Sequence, residues 1–242
     1  MVLGISHSVG AIPVSYQIVA PGNANEYDDP FKSIDFDKRY DRYQQVYSAS
    51  LFSNLPKGGG LLKQIYLRMD LVNAAGHVLG REPGIQIEVS TTVQTPSSLS
   101  PIFSENVGSD RTIFLAPSDT SPLDSAFEGP GRIQGWSPVF GVGRDFFYDP
   151  AKGNLLLDIR GLSQKLTYVL DATQNDAMGS VFQATPGNTD LGSVGKYSLV
   201  TRFSFFPVPE PSTVALICVG IVFLISVRTL SFKPTKEPNV TL

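Results

Sequence analysis

Ile65-Tyr66-Leu67-Arg68-Met69-Asp70-Leu71 places apolar residues at 65, 67, 69 and 71, with Arg68 and Asp70 among the residues between them. Successive side chains of an extended chain point to opposite faces, so this spacing predicts a strand with one buried face. The same period recurs along the chain. Ile85, Ile87 and Val89 alternate with Gln86 and Glu88, and Leu166, Tyr168 and Leu170 alternate with Thr167 and Asp171. Leu155, Leu157 and Ile159 alternate with Asp158 and Arg160, although Leu156 interrupts the polar face. Leu199, Thr201, Phe203 and Phe205 face one way, with Arg202 and Ser204 opposed. Further strands are expected at 43–52, 112–115, 139–140, 146–148 and 180–184.

Dense turn signals separate these segments: Asp29-Pro30, Gly58-Gly59-Gly60, Glu82-Pro83-Gly84, Gly129-Pro130-Gly131, Asp149-Pro150 and Pro186-Gly187-Asn188. Gly (22) and Pro (18) together exceed the roughly 12% usual for the pair, which suits a turn-rich β protein. Outside the carboxyl-terminal region only 122–127 hints at a short helix. About ten one-face-apolar strands joined by turns predict an all-β fold, an antiparallel β-sandwich with the jelly roll as one form of it.

Composition narrows function. A formal charge of −3, from 19 basic and 22 acidic residues in 242, supplies no field for a nucleic-acid backbone. One cysteine and two histidines exclude a disulfide scaffold and a Cys/His zinc cluster within the chain. With 42% hydrophobic residues the chain can build a core, so global disorder is excluded as well.

The longest apolar run is Val214–Val227, fourteen residues without a charge. A helix of that length spans about 21 Å, and extending it to Ser212–Phe232 gives about 31 Å, enough for a hydrocarbon core of about 30 Å. Arg228 would then snorkel to the headgroups. A buried core element is the competing reading. Against it stand apolarity on every face and the flanking Arg228, Lys233 and Lys236, which orient the tail inward and everything before it outward. Before the run stands Pro207-Val208-Pro209-Glu210-Pro211-Ser212-Thr213. Alternate prolines fix φ and push the residues between them to extended conformations, so a stiff stalk is expected.

Val208-Pro209-Glu210-Pro211-Ser212-Thr213, a hydrophobic span and a basic end resemble the PEP-CTERM sorting signal of Gram-negative bacteria. The resemblance implies export, anchoring in the inner membrane and recognition by an exosortase, a membrane-embedded transpeptidase-like enzyme. Here the basic residues are spread over Arg228, Lys233 and Lys236, where the family usually has a tight arginine cluster. Three segments, 42–50, 87–92 and 148–158, look similar to uncharacterised ectodomains that precede this signal, a resemblance that implies no activity.

The first eleven residues have no basic n-region and too short an apolar stretch for a complete signal peptide. Val9-Gly10-Ala11 nevertheless resembles a small-residue cleavage site, so the expectation is that Met1 lies downstream of the true start and that 1–11 is a signal-peptide remnant. The organisation expected is 12–206 as ectodomain, 207–213 as stalk, 214–232 as transmembrane helix and 233–242 as basic cytoplasmic tail.

Candidate chemistry in the ectodomain is sparse. No zinc-helix, nucleophile-elbow, phosphate-loop or calcium-loop motif is present, and His7 and His77 stand alone. Glu88 and Asp158 fall on polar strand faces and could form a glycosidase pair, against the ordinary reading of charged solvent-facing positions. Trp136 is the best sugar-stacking platform, with Tyr40, Tyr43 and Tyr148 behind it, against the ordinary reading of half-buried aromatics. Asp28-Asp29 and Asp35-Phe36-Asp37 offer oxygen ligands for calcium without a recognisable loop pattern. The sequence therefore predicts no enzyme, no cofactor and no metal. It predicts an exported structural or adhesive protein of the envelope or extracellular matrix, with a carbohydrate-binding module, exopolysaccharide being its candidate partner, as the alternative and a surface glycoside hydrolase behind that.

Overall fold

The computed structural model describes residues 15–22, 32–35, 42–70, 85–118, 134–140, 144–161, 169–183 and 190–208. Fourteen strands form two sheets: β1 Tyr16–Ala20, β2 Lys32–Asp35, β3 Arg42–Tyr47, β4 Gly60–Asp70, β5 Gln86–Thr92, β6 Thr112–Leu115, β7 Gln134–Phe140, β8 Phe146–Tyr148, β9 Asn154–Arg160, β10 Val169–Thr173, β11 Met178–Phe182, β12 Ser193–Gly195, β13 Ser198–Leu199 and β14 Thr201–Phe206. Helical structure among the described residues is limited to short 3-10 turns, among them Ala49–Phe52, Phe103–Asn106 and Pro150–Lys152, and the all-β expectation holds. No helix among these residues is long and apolar enough to cross a membrane; 214–232 lie outside them. The helix expected at 122–127 also lies outside them.

Ile65–Asp70 belong to β4, the spine of the first sheet. Its eight strands follow the path β1-β14-β4-β10-β13, with β2 on β10 and with β7 and β8 on β4. All pairings are antiparallel; β4 pairs with β14 from Leu61 to Leu67 and with β8 and then β7 from Gly60 to Asp70. The second sheet runs β12-β11-β3-β9-β5-β6. Ile65, Leu67, Phe203 and Phe205 from the first sheet meet Tyr43, Tyr47, Ile87, Val89, Leu155, Leu157 and Ile159 from the second in one buried core. Phe52 sits edge-on to Tyr148, Phe203 and Phe205, with ring centroids 5.0, 5.4 and 5.8 Å away. Each such pair adds about 0.5–1.5 kcal/mol beyond area burial.

Two expectations are corrected in detail. The strand expected over 43–52 ends at Tyr47, because the Ser48 Oγ accepts from the Ser50 N–H and turns Ala49–Phe52 into a 3-10 turn. The polar faces of the strands are not solvated either. On the second sheet, Leu156 packs with Val46, Val181, Leu99 and Phe103, so the segment containing 99–107 covers that face. Leu156 is thus no interruption of the pattern; it is a core residue of a second, smaller layer.

Candidate functional site

Two places concentrate what the sequence singled out. The first is the outer face of the second sheet. Glu88 and Asp158 are directly opposed across β5 and β9, and Gln44 opposes Asp158 from β3. Period-two alternation puts Arg42, Gln44, Glu88, Asp158 and Arg160 on one face. Arg42 donates to both Asp158 oxygens, from Nε at 3.0 Å and from a terminal nitrogen at 2.6 Å. Gln44 Nε2 donates to Asp158 at 2.9 Å, and Arg160 bridges Asp158 (3.2 Å) and Glu88 (3.1 Å). Arg42 also stacks on Phe103, 4.6 Å from the ring centroid, and reaches Asp190 at 3.4 Å.

Asp190 receives the Ser104 hydroxyl at 2.6 Å and the Ser104 amide at 3.0 Å. The hydroxyl hydrogen bond, opposed by desolvation and helped by the amide, Arg42 and Arg160, holds the Asp190 carboxyl below the usual carboxylate range. Above this network lies an open cleft of about 540 Å³, lined by Arg42, Ser104, Gly108, Arg111, Arg160 and Asp190. The two carboxylates of the glycosidase pair are brought together, at 2% and 1% exposure, but as acceptors of arginine donors inside the covered face. In this arrangement both tie neighbouring strands of the second sheet to one another by charge-assisted hydrogen bonding in a low-dielectric site.

The stacking candidates are buried. Trp136 is 7% exposed, packed with Tyr66 and Val200, and Arg202 lies 4.9 Å from its ring centroid and 4.0 Å from that of Tyr66. Tyr43 and Tyr148 belong to the main core, their hydroxyls given to Gln45 and to the Gly153 carbonyl. A sugar ring stacks on an open aromatic face, and in this structure these three rings are covered. Tyr40, Asp28, Asp29, Asp37, His7 and His77 lie outside the described residues, and of Asp35 only the backbone, paired with Val169, is described. No group of three or more metal-ligating side chains occurs among the described residues.

The second place is the exit of β14. This strand is paired on both sides, with β1 from Thr201 to Phe205 and with β4 from Thr201 to Phe206. Phe203 and Phe205 are fully buried. The chain leaves the sheet at Pro207, which has no amide to donate and so ends the ladder. Val208 is 42% exposed, and Pro209, Glu210, Pro211, Ser212, Thr213, Arg228, Lys233 and Lys236 lie outside the described residues. Residues 1–207 and 208–242 form separate units.

Comparison with known proteins decides what leaves the sheet there. Residues 207–228 match the PEP-CTERM protein-sorting motif. The chain carries a PEP-CTERM sorting motif. Such a signal is read by an exosortase and marks a secreted or envelope-associated protein. The match begins at the first residue after β14, so the folded body and the sorting motif are contiguous. No curated protein and no solved structure matches the chain. The three segments whose likeness to other ectodomains was noted, 42–50, 87–92 and 148–158, contribute β3, β5 and β9, which are neighbours in the second sheet.

Proposed function

We propose that the protein is a non-enzymatic β-sandwich of structural or adhesive type, handed to the cell envelope or extracellular matrix through its sorting motif. In this reading Pro209, Glu210 and Pro211 are what the exosortase reads, 214–232 hold the precursor in the inner membrane, and Arg228, Lys233 and Lys236 keep the tail inside. The observation that carries it is the junction: the motif match starts at Pro207, immediately after the doubly paired β14.

A non-catalytic role is favoured by how the polar groups of 42–190 are used. The carboxylates of the candidate pair Glu88 and Asp158 are tied to Arg160 and Arg42, and the tryptophan lies under Arg202. The test is export of wild type and Glu210→Ala in a host with an exosortase. Wild type is expected as a shortened, released or surface form, and the variant as a full-length membrane precursor. Equal processing of the two would refute the assignment.

A further inference from the structure

We propose that the end of the sandwich from which β14 exits is a docking surface for anionic phospholipid, and that it holds the body against the bilayer while the precursor is anchored. This rests on the membrane-anchored reading of 214–232 given above.

Phe206 opposes Leu61 on β4, Leu61 opposes Phe147 on β8, and Gly60 opposes Tyr148. The β14 exit, the 57–60 turn and the β8 end therefore share one rim. That rim differs in charge from the rest of the body. The segment 48–63 contains no acidic residue and carries Lys57 and Lys63, while 144–153 carries Arg144 and Lys152 against Asp145 and Asp149. Residues 1–207 hold 16 basic and 20 acidic residues, so this basic excess sits in an otherwise acidic body.

Lys63 pairs with Asp145, and Asp149 is engaged in capping the Ala151 amide, whereas Lys57 and Lys152 are exposed. Phe147, 41% exposed, carries the Lys152 ammonium 5.7 Å from its ring centroid. An exposed aromatic flanked by lysines is the side-chain chemistry of a bilayer interface facing anionic headgroups. The reach fits as well: six residues from Phe206 to Ser212 extend at most about 20 Å, so an anchored body cannot stand far from the headgroups.

The test uses the full chain reconstituted in phosphatidylcholine vesicles, with and without phosphatidylglycerol. A fluorophore is placed at Ala151→Cys, exposed beside Lys152, or, as control, at Val194→Cys on the edge strand β12, both in a Cys218→Ser background; a third sample carries it on native Cys218. Headgroup-level nitroxide lipids should quench position 151 and spare position 194, more strongly with phosphatidylglycerol. Lys57→Glu with Lys152→Glu should lower the docked fraction, at about fivefold in the docked-to-undocked ratio per lysine removed. Chain-level nitroxides should quench Cys218 throughout. Quenching at 218 with none at 151, or equal quenching at 151 and 194, would overturn the docking surface alone. No quenching at 218 would overturn the anchored reading and the docking surface with it.

Discussion

Gln45 of one sheet hydrogen-bonds the backbone of Leu199 in the other as a strand partner would. Its Oε1 accepts from the Leu199 N–H at 2.7 Å and its Nε2 donates to the Leu199 carbonyl at 3.0 Å. The amide is fully buried, and Tyr43 donates its hydroxyl to the same Oε1 at 2.5 Å. Leu199 lies in the two-residue strand β13, so one side chain supplies the pairing that so short a strand lacks. Gln45→Leu should leave the Leu199 N–H with only its longer bond to the Tyr43 hydroxyl, 3.3 Å, and the Leu199 carbonyl with only the Thr201 hydroxyl, 3.2 Å, and cost about 1–3 kcal/mol in all. A lower urea midpoint is expected; a midpoint equal to wild type would show that the Tyr43 and Thr201 hydroxyls satisfy the Leu199 backbone by themselves.

How much of this was written in the sequence depends on what each residue packs against. Strands facing the main core on one side, such as β4, β5, β9 and β14, announce themselves by period two because only one face is uniformly apolar. Gln45 did not, since a polar residue on an inward face carries no local sign that its partner is a backbone 154 residues away. Leu156 looked like an error in the pattern because the segment that covers it is distant in the chain and irregular. The strands β1, β2 and β12 carry no such sign, because each is set by its pairing to one neighbour, β14, β10 and β11, rather than by a pattern of its own. The sorting motif at 207–228 was legible because it is carried by the local sequence and not by packing against distant residues. The opposition of Glu88 and Asp158 was legible as a chance, but their burial under Arg42 and Arg160 required the fold.

That burial sets the second prediction. Asp158 is 1% exposed and accepts from Arg42, Gln44 and Arg160, so Asp158→Ala would take from Arg42 its nearest carboxylate in a covered site and leave the longer contact to Asp190, 3.4 Å. Removing one member of a buried pair costs about 3–5 kcal/mol. The double change Asp158→Leu with Arg42→Met should recover a large part of that loss, since apolar replacement of both partners removes the desolvation penalty as well. Chemical denaturation of the three variants measures it, and a double variant no better than the single would show that Gln44 and Arg160 hold the rest of the network in place.

Trp136 is the single tryptophan, so intrinsic emission reports one site. With 7% exposure and Arg202 over its ring, it should emit at short wavelength and resist iodide quenching in the native state. Arg202→Ala should open the ring to quencher and destabilise by about 0.5–2 kcal/mol through the lost cation–π contacts with Trp136 and Tyr66. Polysaccharides added to wild type should leave the spectrum unchanged. A sugar-dependent shift in the folded protein would restore the stacking reading of this residue.

The turn before β4 separates two glycine requirements. Gly58 and Gly59 both sit at positive φ, +95° and +92°. A Cβ on Gly58 would meet open space, whereas one on Gly59 would lie 2.2 Å from the Tyr148 carbonyl oxygen. Gly58→Ala should therefore carry only the conformational cost, about 1 kcal/mol. Gly59→Ala adds displacement of the β8 backbone and should be clearly worse, by thermal or urea denaturation. Equal effects would mean that β8 can move off β4 freely.

Alkali should expose the core tyrosines in a defined way. Burial pushes the phenols of Tyr43, Tyr47 and Tyr148 well above their ordinary value, against smaller opposing hydrogen bonds to Leu199 and Ser180 for Tyr43 and to Thr201 for Tyr47, while Asp149 adds to the rise at Tyr148. In the unfolded chain they ionise near pH 10. Below that pH both states hold the same protons and these groups leave stability unchanged. Above it the unfolded chain sheds protons the native state keeps, so stability falls with rising pH, by about 1.4 kcal/mol per pH unit for each such tyrosine. A titration followed by phenolate absorbance should show these three ionising only together with loss of near-ultraviolet circular dichroism. If all nine tyrosines ionised in one ordinary step while the dichroism persisted, the burial of Tyr43, Tyr47 and Tyr148 would be wrong, and with it the aromatic packing of Phe52 and Phe203 that joins the two sheets.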